Sequence, residues 1–182
     1  MNLNKEQITK AIPKVEKGLG QYKWLQNEVK KRNVSENREF QRKFNAYYRV
    51  RRNPKWQIEF YKLLEINKLK NSSFEDILSN LHQKTGKMEA SFVSKLVATI
   101  NPNMPIIDKV VFSNLNLKLP PANIKNRDSE IGKKYQTLIK EFSEYLETEN
   151  GRYLVEKFIE KYPDANITKI KMLDFVLWQT RL

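Results

Sequence analysis

Apolar residues recur at helical spacing along the whole chain, and nowhere do they alternate with polar ones for long enough to argue a half-buried strand. The clearest run is Trp56, Phe60, Leu63 and Leu64, spaced i, i+4, i+7 and i+8 behind the pair Asn53-Pro54. An asparagine there offers its side-chain oxygen to the unpaired N–H groups of the first turn, and proline is tolerated at N1 because that N–H has no partner to lose. The fold class that follows is all-α, an orthogonal multi-helix bundle of about eight helices.

The other helices are read the same way. Residues 5–15 and 21–31 form two short helices broken at Gly18 and Gly20, with Ile8, Ile12 and Val15, then Tyr22, Leu25 and Val29, on their apolar faces. Those faces are narrow, so residues 1–33 are expected as a loosely packed N-terminal helical extension of a single domain spanning 1–182. Ser35 is the expected cap of a helix carrying Phe40, Phe44, Tyr47 and Tyr48. Ser73 and Asp76 make a capping box for a helix with Phe74, Ile77, Leu78 and Leu81 inward, stopping near Thr85-Gly86. A helix over 89–100 follows, then a loop with Pro102 and Pro105, and a short helix around 108–115. Pro120-Pro121 ends that region, and Asp128 is the expected cap of a long helix reaching Glu147. Two further helices fit 151–162 and 168–178.

Charge bounds the choice of partner. The 182 residues hold 34 Lys and Arg against 21 Asp and Glu, a net +13, and residues 30–70 alone hold thirteen basic and four acidic side chains. A concentration of that kind points to a phosphate backbone, with nucleic acid the expected partner, while a lysine-rich solvated surface, an anionic membrane and an acidic protein are the alternatives. The expected nucleic-acid contacts are Arg42, Arg49, Arg51, Arg52 and Lys55. No cysteine is present, which excludes disulfides, thiolate catalysis and Cys-based metal sites. No phosphate-cradling glycine loop occurs, and His82 is the single histidine, so neither a cofactor nor a metal is expected. The N-terminus has no apolar leader and no run approaches membrane-spanning length, so the expectation is a cytoplasmic protein without a membrane partner.

Residues 81–115 carry a resemblance. Thr85-Gly86-Lys87 forms a turn, Ser91–Leu96 opens a helix rich in small residues, and Pro105-Ile106-Ile107-Asp108 brings an aspartate to the start of another helix. This layout resembles the helix-hairpin-helix DNA glycosylases, in which a glycine hairpin grips DNA phosphate and a following aspartate is catalytic. The resemblance implies a helix-hairpin-helix-like bundle, double-stranded DNA as the partner, phosphate contacts from Gly86 and Lys87, and a catalytic role for Asp108. It covers about 35 residues, and Met88 stands where the family has a second hairpin glycine. Glu89 and Ala90 stand where lyase-competent members carry lysine, so the implied activity is N-glycosidic hydrolysis without Schiff-base chemistry.

Each residue also has a structural reading. Asp108 serves equally as the N-cap of its own helix, and Gly86 as the left-handed C-cap of the helix before it. Tyr47, Tyr48 and Trp56 are core residues or stacking platforms for bases. Asp174 interrupts an apolar helix and is expected to pair with Lys171 or Arg181, or to line a cleft. Three functions remain: a monofunctional glycosylase-like enzyme, a non-catalytic nucleic-acid binder or degenerate relative of that family, and a helical protein–protein adaptor.

Overall fold

A computed structural model describes residues 1–70 and 72–180. Among these the chain runs as α1 (Lys5–Ala11), a 3₁₀ turn (Ile12–Val15), α2 (Glu16–Lys31), α3 (Arg38–Tyr48), α4 (Pro54–Asn67), α5 (Phe74–Thr85), α6 (Ala90–Ile100), α7 (Lys109–Asn114), α8 (Arg127–Glu147), α9 (Glu149–Lys161) and α10 (Lys169–Gln179). No strand occurs among the described residues, and the fold is the all-α multi-helix bundle that the spacing predicts.

Local chemistry sets most of the boundaries. Asn53 accepts from the Trp56 N–H at 2.9 Å and Pro54 opens α4. Ser73 and Asp76 complete the capping box of α5, and Gly86 ends that helix at φ +67° with its N–H on the His82 carbonyl. Three expectations are corrected. The cap of α3 is Asn37, which accepts from Phe40 N–H, while Ser35 sits in the preceding turn. Helix α8 begins at Arg127 after a left-handed Asn126, which leaves Asp128 inside the first turn, where its charge faces the positive end of the helix. Nor does the chain break at Gly18 and Gly20: the α-helical pattern is interrupted instead by the 3₁₀ turn that holds Pro13, and α2 runs through both glycines. Gly18 has a packing reason, since a Cβ there would meet the Phe175 ring at 3.3 Å.

One core unites the chain, from Leu3 to Leu177. Residues 1–33 contribute Ile8, Ile12, Val15, Leu19, Tyr22, Leu25 and Val29 to it, all buried. Opposite them, Phe40, Phe44, Phe60, Tyr61 and Trp56 form a continuous aromatic cluster between α3 and α4, and Trp56 reaches Phe92 on α6 edge to face. Fully burying each phenylalanine of this cluster contributes about 2 kcal/mol of transfer free energy.

Two helices are buried on nearly every side. Val93–Thr99 of α6 and Lys171–Leu177 of α10 are buried without interruption, yet these stretches include Ser94, Lys95, Thr99, Lys171 and Asp174. Polar side chains in such helices must find partners or a cavity.

Candidate functional site

Three of these polar residues, Lys95, Lys171 and Asp174, open into a cleft of about 900 Å³, within the size range of small-molecule sites. Its walls come from five places in the chain: the 3₁₀ turn and α2, the end of α3, α6, the Ile106–Asn114 stretch, and α10. Aromatic lining is supplied by Tyr47, Tyr48, Phe92, Phe175 and Trp178, and charged lining by Lys14, Lys17, Arg49, Lys95, Lys109 and Lys171 against Asp108 and Asp174.

Asp108 is presented by a pinned loop. Asn101 turns the chain by accepting from Asn103 N–H, and Thr168 holds the Pro102 carbonyl at 2.6 Å. Tyr135 from α8 donates to the Pro105 carbonyl at 3.0 Å, and Ser94 from α6 accepts from the Ile107 N–H at 2.9 Å, both in the interior. With its backbone fixed from three directions, the half-buried Asp108 caps α7 by accepting from Val110 N–H at 2.8 Å. The capping and cleft-lining readings therefore hold together in one side chain.

Lys95 lies on the adjacent wall at 9 % exposure. Its ammonium donates to Ser91 Oγ at 3.0 Å and stands 5.1 Å from the Phe92 ring centre, with no carboxylate in ion-pair range among the described residues. Burial pushes its pKa below the ordinary lysine value, against the pull of Asp108 and Asp174 in the same cleft. On α10, Lys171 donates to Asp174 and lies over the rings of Tyr22 and Phe175. Burial alone drives such an ammonium neutral, but Asp174 and the hydroxyls of Tyr47, Tyr48 and Tyr22 outweigh it and hold the proton on. Arg181, the other partner considered for Asp174, lies outside the described residues.

At the mouth stands Arg49, in the left-handed region at φ 55°, ψ 44°. That conformation costs a non-glycine residue about 1 kcal/mol. Its guanidinium sits 5.1 Å from the Trp178 ring centre, within cation–π reach, and so bridges the end of α3 to α10.

No family model, curated protein or solved structure matches this chain. Function therefore has to come from the chemistry of the cleft.

Of the residues singled out by sequence, the structure brings Asp108 and Arg49 together. Arg52 is drawn elsewhere: it pairs with Glu89 at 2.7 Å and covers Phe92 at 5.3 Å, tying α4's approach to the start of α6. Gly86, Lys87, Arg42, Arg51 and Lys55 are exposed and do not line the cleft. Tyr47 and Tyr48 line it, while Trp56 is core. Sequence reasoning passed over Lys95, Lys14, Lys17, Lys109, Phe92 and Trp178. The signal for Lys95 was a lone cation inside the apolar run Phe92–Ala98, the same anomaly that drew notice to Asp174. Among the described residues no group of three or more His, Asp or Glu is placed to hold a metal, and no helix is long and apolar enough to cross a membrane.

Proposed function

We propose that the protein binds nucleic acid, duplex DNA foremost, and that its cleft receives one nucleotide turned out of the stack, with Asp108 as the acidic group assisting cleavage of the N-glycosidic bond. The observation that carries this reading is the meeting of Asp108 and Arg49 in one cationic, aromatic-lined cleft. A flipped base needs flat apolar walls to replace its lost stacking, and a cationic mouth to hold the charged backbone outside. A carboxylate beside the sugar stabilises positive charge as the base departs, or orients the attacking water. The test is base release from duplex DNA by the wild type and by Asp108→Asn. Asparagine caps a helix as well as aspartate does, so the variant keeps α7 while losing the charge. The expected result is loss of base release with DNA affinity retained; undiminished release removes Asp108 from its role.

A second reading, a non-catalytic binder on the same scaffold, draws on one observation: an Asp108 oxygen is already committed to Val110 N–H. It expects binding that falls steeply with salt and no base release from any duplex.

A further inference from the structure

The exposed cations of the molecule differ in where they stand relative to the cleft. Between residues 30 and 70, Arg32, Lys43, Arg52, Lys62 and Lys68 are engaged by Glu28, Glu39, Glu89, Glu59 and Glu65. Five of the thirteen basic side chains of that segment are therefore met inside the molecule. Lys14, Lys17 and Lys109 are exposed and make no ion pair among the described residues, which is equally true of Arg42, Arg51, Lys55 and Lys87; what sets the three lysines apart is that they line the cleft. Lys14 and Lys17 are three residues apart across the junction of the 3₁₀ turn and α2, which puts both on one face with Cβ atoms roughly 5–6 Å apart. Lys109 opens α7 directly after Asp108. Long side chains of this kind keep their ammonium groups in water and gain most from a polyanion whose counterions they displace.

We propose that Lys14, Lys17 and Lys109 hold the phosphates flanking the nucleotide in the cleft, so that the strand runs along the N-terminal helices and not past the exposed Arg42, Arg51, Lys55, Gly86 and Lys87. The proposal rests on the nucleic-acid reading and adds the path of the strand to it. It gives the N-terminal segment a role in binding: its buried face joins the core, and its polar face forms one wall of the site. Arg49 lines the cleft and also belongs to the basic segment, so it is consistent with either path.

The test compares two double variants with the wild type, Lys14→Gln/Lys17→Gln and Lys55→Gln/Lys87→Gln, on a fluorescent duplex carrying one unpaired nucleotide, across a series of salt concentrations. All four lysines are exposed, and thermal melts check that both variants keep the wild-type fold. Each lost phosphate contact lowers the slope of log K against log salt by about 0.9. The expected result is a slope smaller by nearly two, with affinity roughly tenfold or more weaker near 0.1 M salt, for the first variant only. A wild-type slope in Lys14→Gln/Lys17→Gln overturns the proposal, however the other variant behaves. Failure of the wild type to bind any duplex removes the nucleic-acid reading itself and this path with it, an outcome distinct from the first.

Discussion

At the scale of single residues, the most informative group is a buried lysine, Lys95, that makes no ion pair among the described residues. Lys95 is 9 % exposed, and burial holds its pKa below the ordinary value of 10.5. Above that value both folded and unfolded chains carry a neutral amine, so there is no penalty. As pH falls below it the unfolded chain takes up the proton first, and the folded state is destabilised progressively until Lys95 is itself protonated. Lys95→Met keeps an unbranched stem and removes the charge. It is expected to be more stable than the wild type by on the order of 1 kcal/mol near pH 7, with the gap closing toward pH 11. Chemical denaturation at the two pH values measures this, and a variant less stable near neutrality would mean that Ser91 and Phe92 fully solvate the ammonium. Were that cost measured, a buried cation lining a cleft would fit a functional role better than a structural one. Sequence could flag the oddity of a charge in an apolar run. It could not say whether a partner waited on another helix, because Asp108 reaches the same cleft only through the pinned loop.

At the scale of elements, legibility tracked how local the governing interaction was. Helix α4 and helix α5 were readable because Asn53-Pro54 and Ser73-Asp76 act within one turn. The run of α2 through Gly18 and Gly20 was not, because the reason at Gly18 is Phe175, far away in the chain. Glycines in open space and glycines at a close approach therefore separate by experiment. Gly20 sits inside α2 and has nothing within 4 Å of where a Cβ would stand, so Gly20→Ala is expected to stabilise by about 0.5–1 kcal/mol through helix propensity. Gly151 sits where α8 turns into α9. Thr148 ends one helix and caps the other, accepting from Gly151 N–H at 3.1 Å. A Cβ at 151 would lie 2.1 Å from the Tyr145 carbonyl oxygen, a backbone atom that cannot swing aside. Gly151→Ala is expected to cost about 3 kcal/mol or more, read as a lower melting temperature. Equal melting temperatures for the two alanine variants would show that the α8–α9 junction is not the tight point the geometry makes it.

At the scale of the whole molecule, the two ends of the chain are built into each other. The Met1 amine reaches Glu141 at 3.3 Å, and the Leu3 carbonyl accepts from Tyr145 at 2.9 Å and from Asn150 at 3.2 Å. The Ile12 carbonyl accepts from Tyr162 at 3.1 Å. The narrow apolar stripes of α1 and α2 suggested a loose extension, since an isolated short helix with such a stripe buries little. What sequence could not display is that α9 and α10 present the complementary surface to α1 and the 3₁₀ turn, and α3 and α6 to α2, so that a narrow stripe is wholly used: Ile8 and Val15 have no exposed area and Ile12 retains 3 %. Removing residues 1–15 would strip away those three side chains, roughly 2 kcal/mol of transfer free energy each, and bare the apolar surface beneath them. The sum, roughly 6 kcal/mol, is comparable with the roughly 5–15 kcal/mol that typically separates a folded domain from its unfolded chain. The truncated protein is therefore expected to lose its cooperative melt, with helical circular dichroism fading gradually and near-ultraviolet signals already collapsed at low temperature. A sharp transition within a few degrees of the full-length value would instead mean that the remaining helices close the core unaided, and that the wall carrying Lys14 and Lys17 is an appendage to the cleft and no part of its foundation.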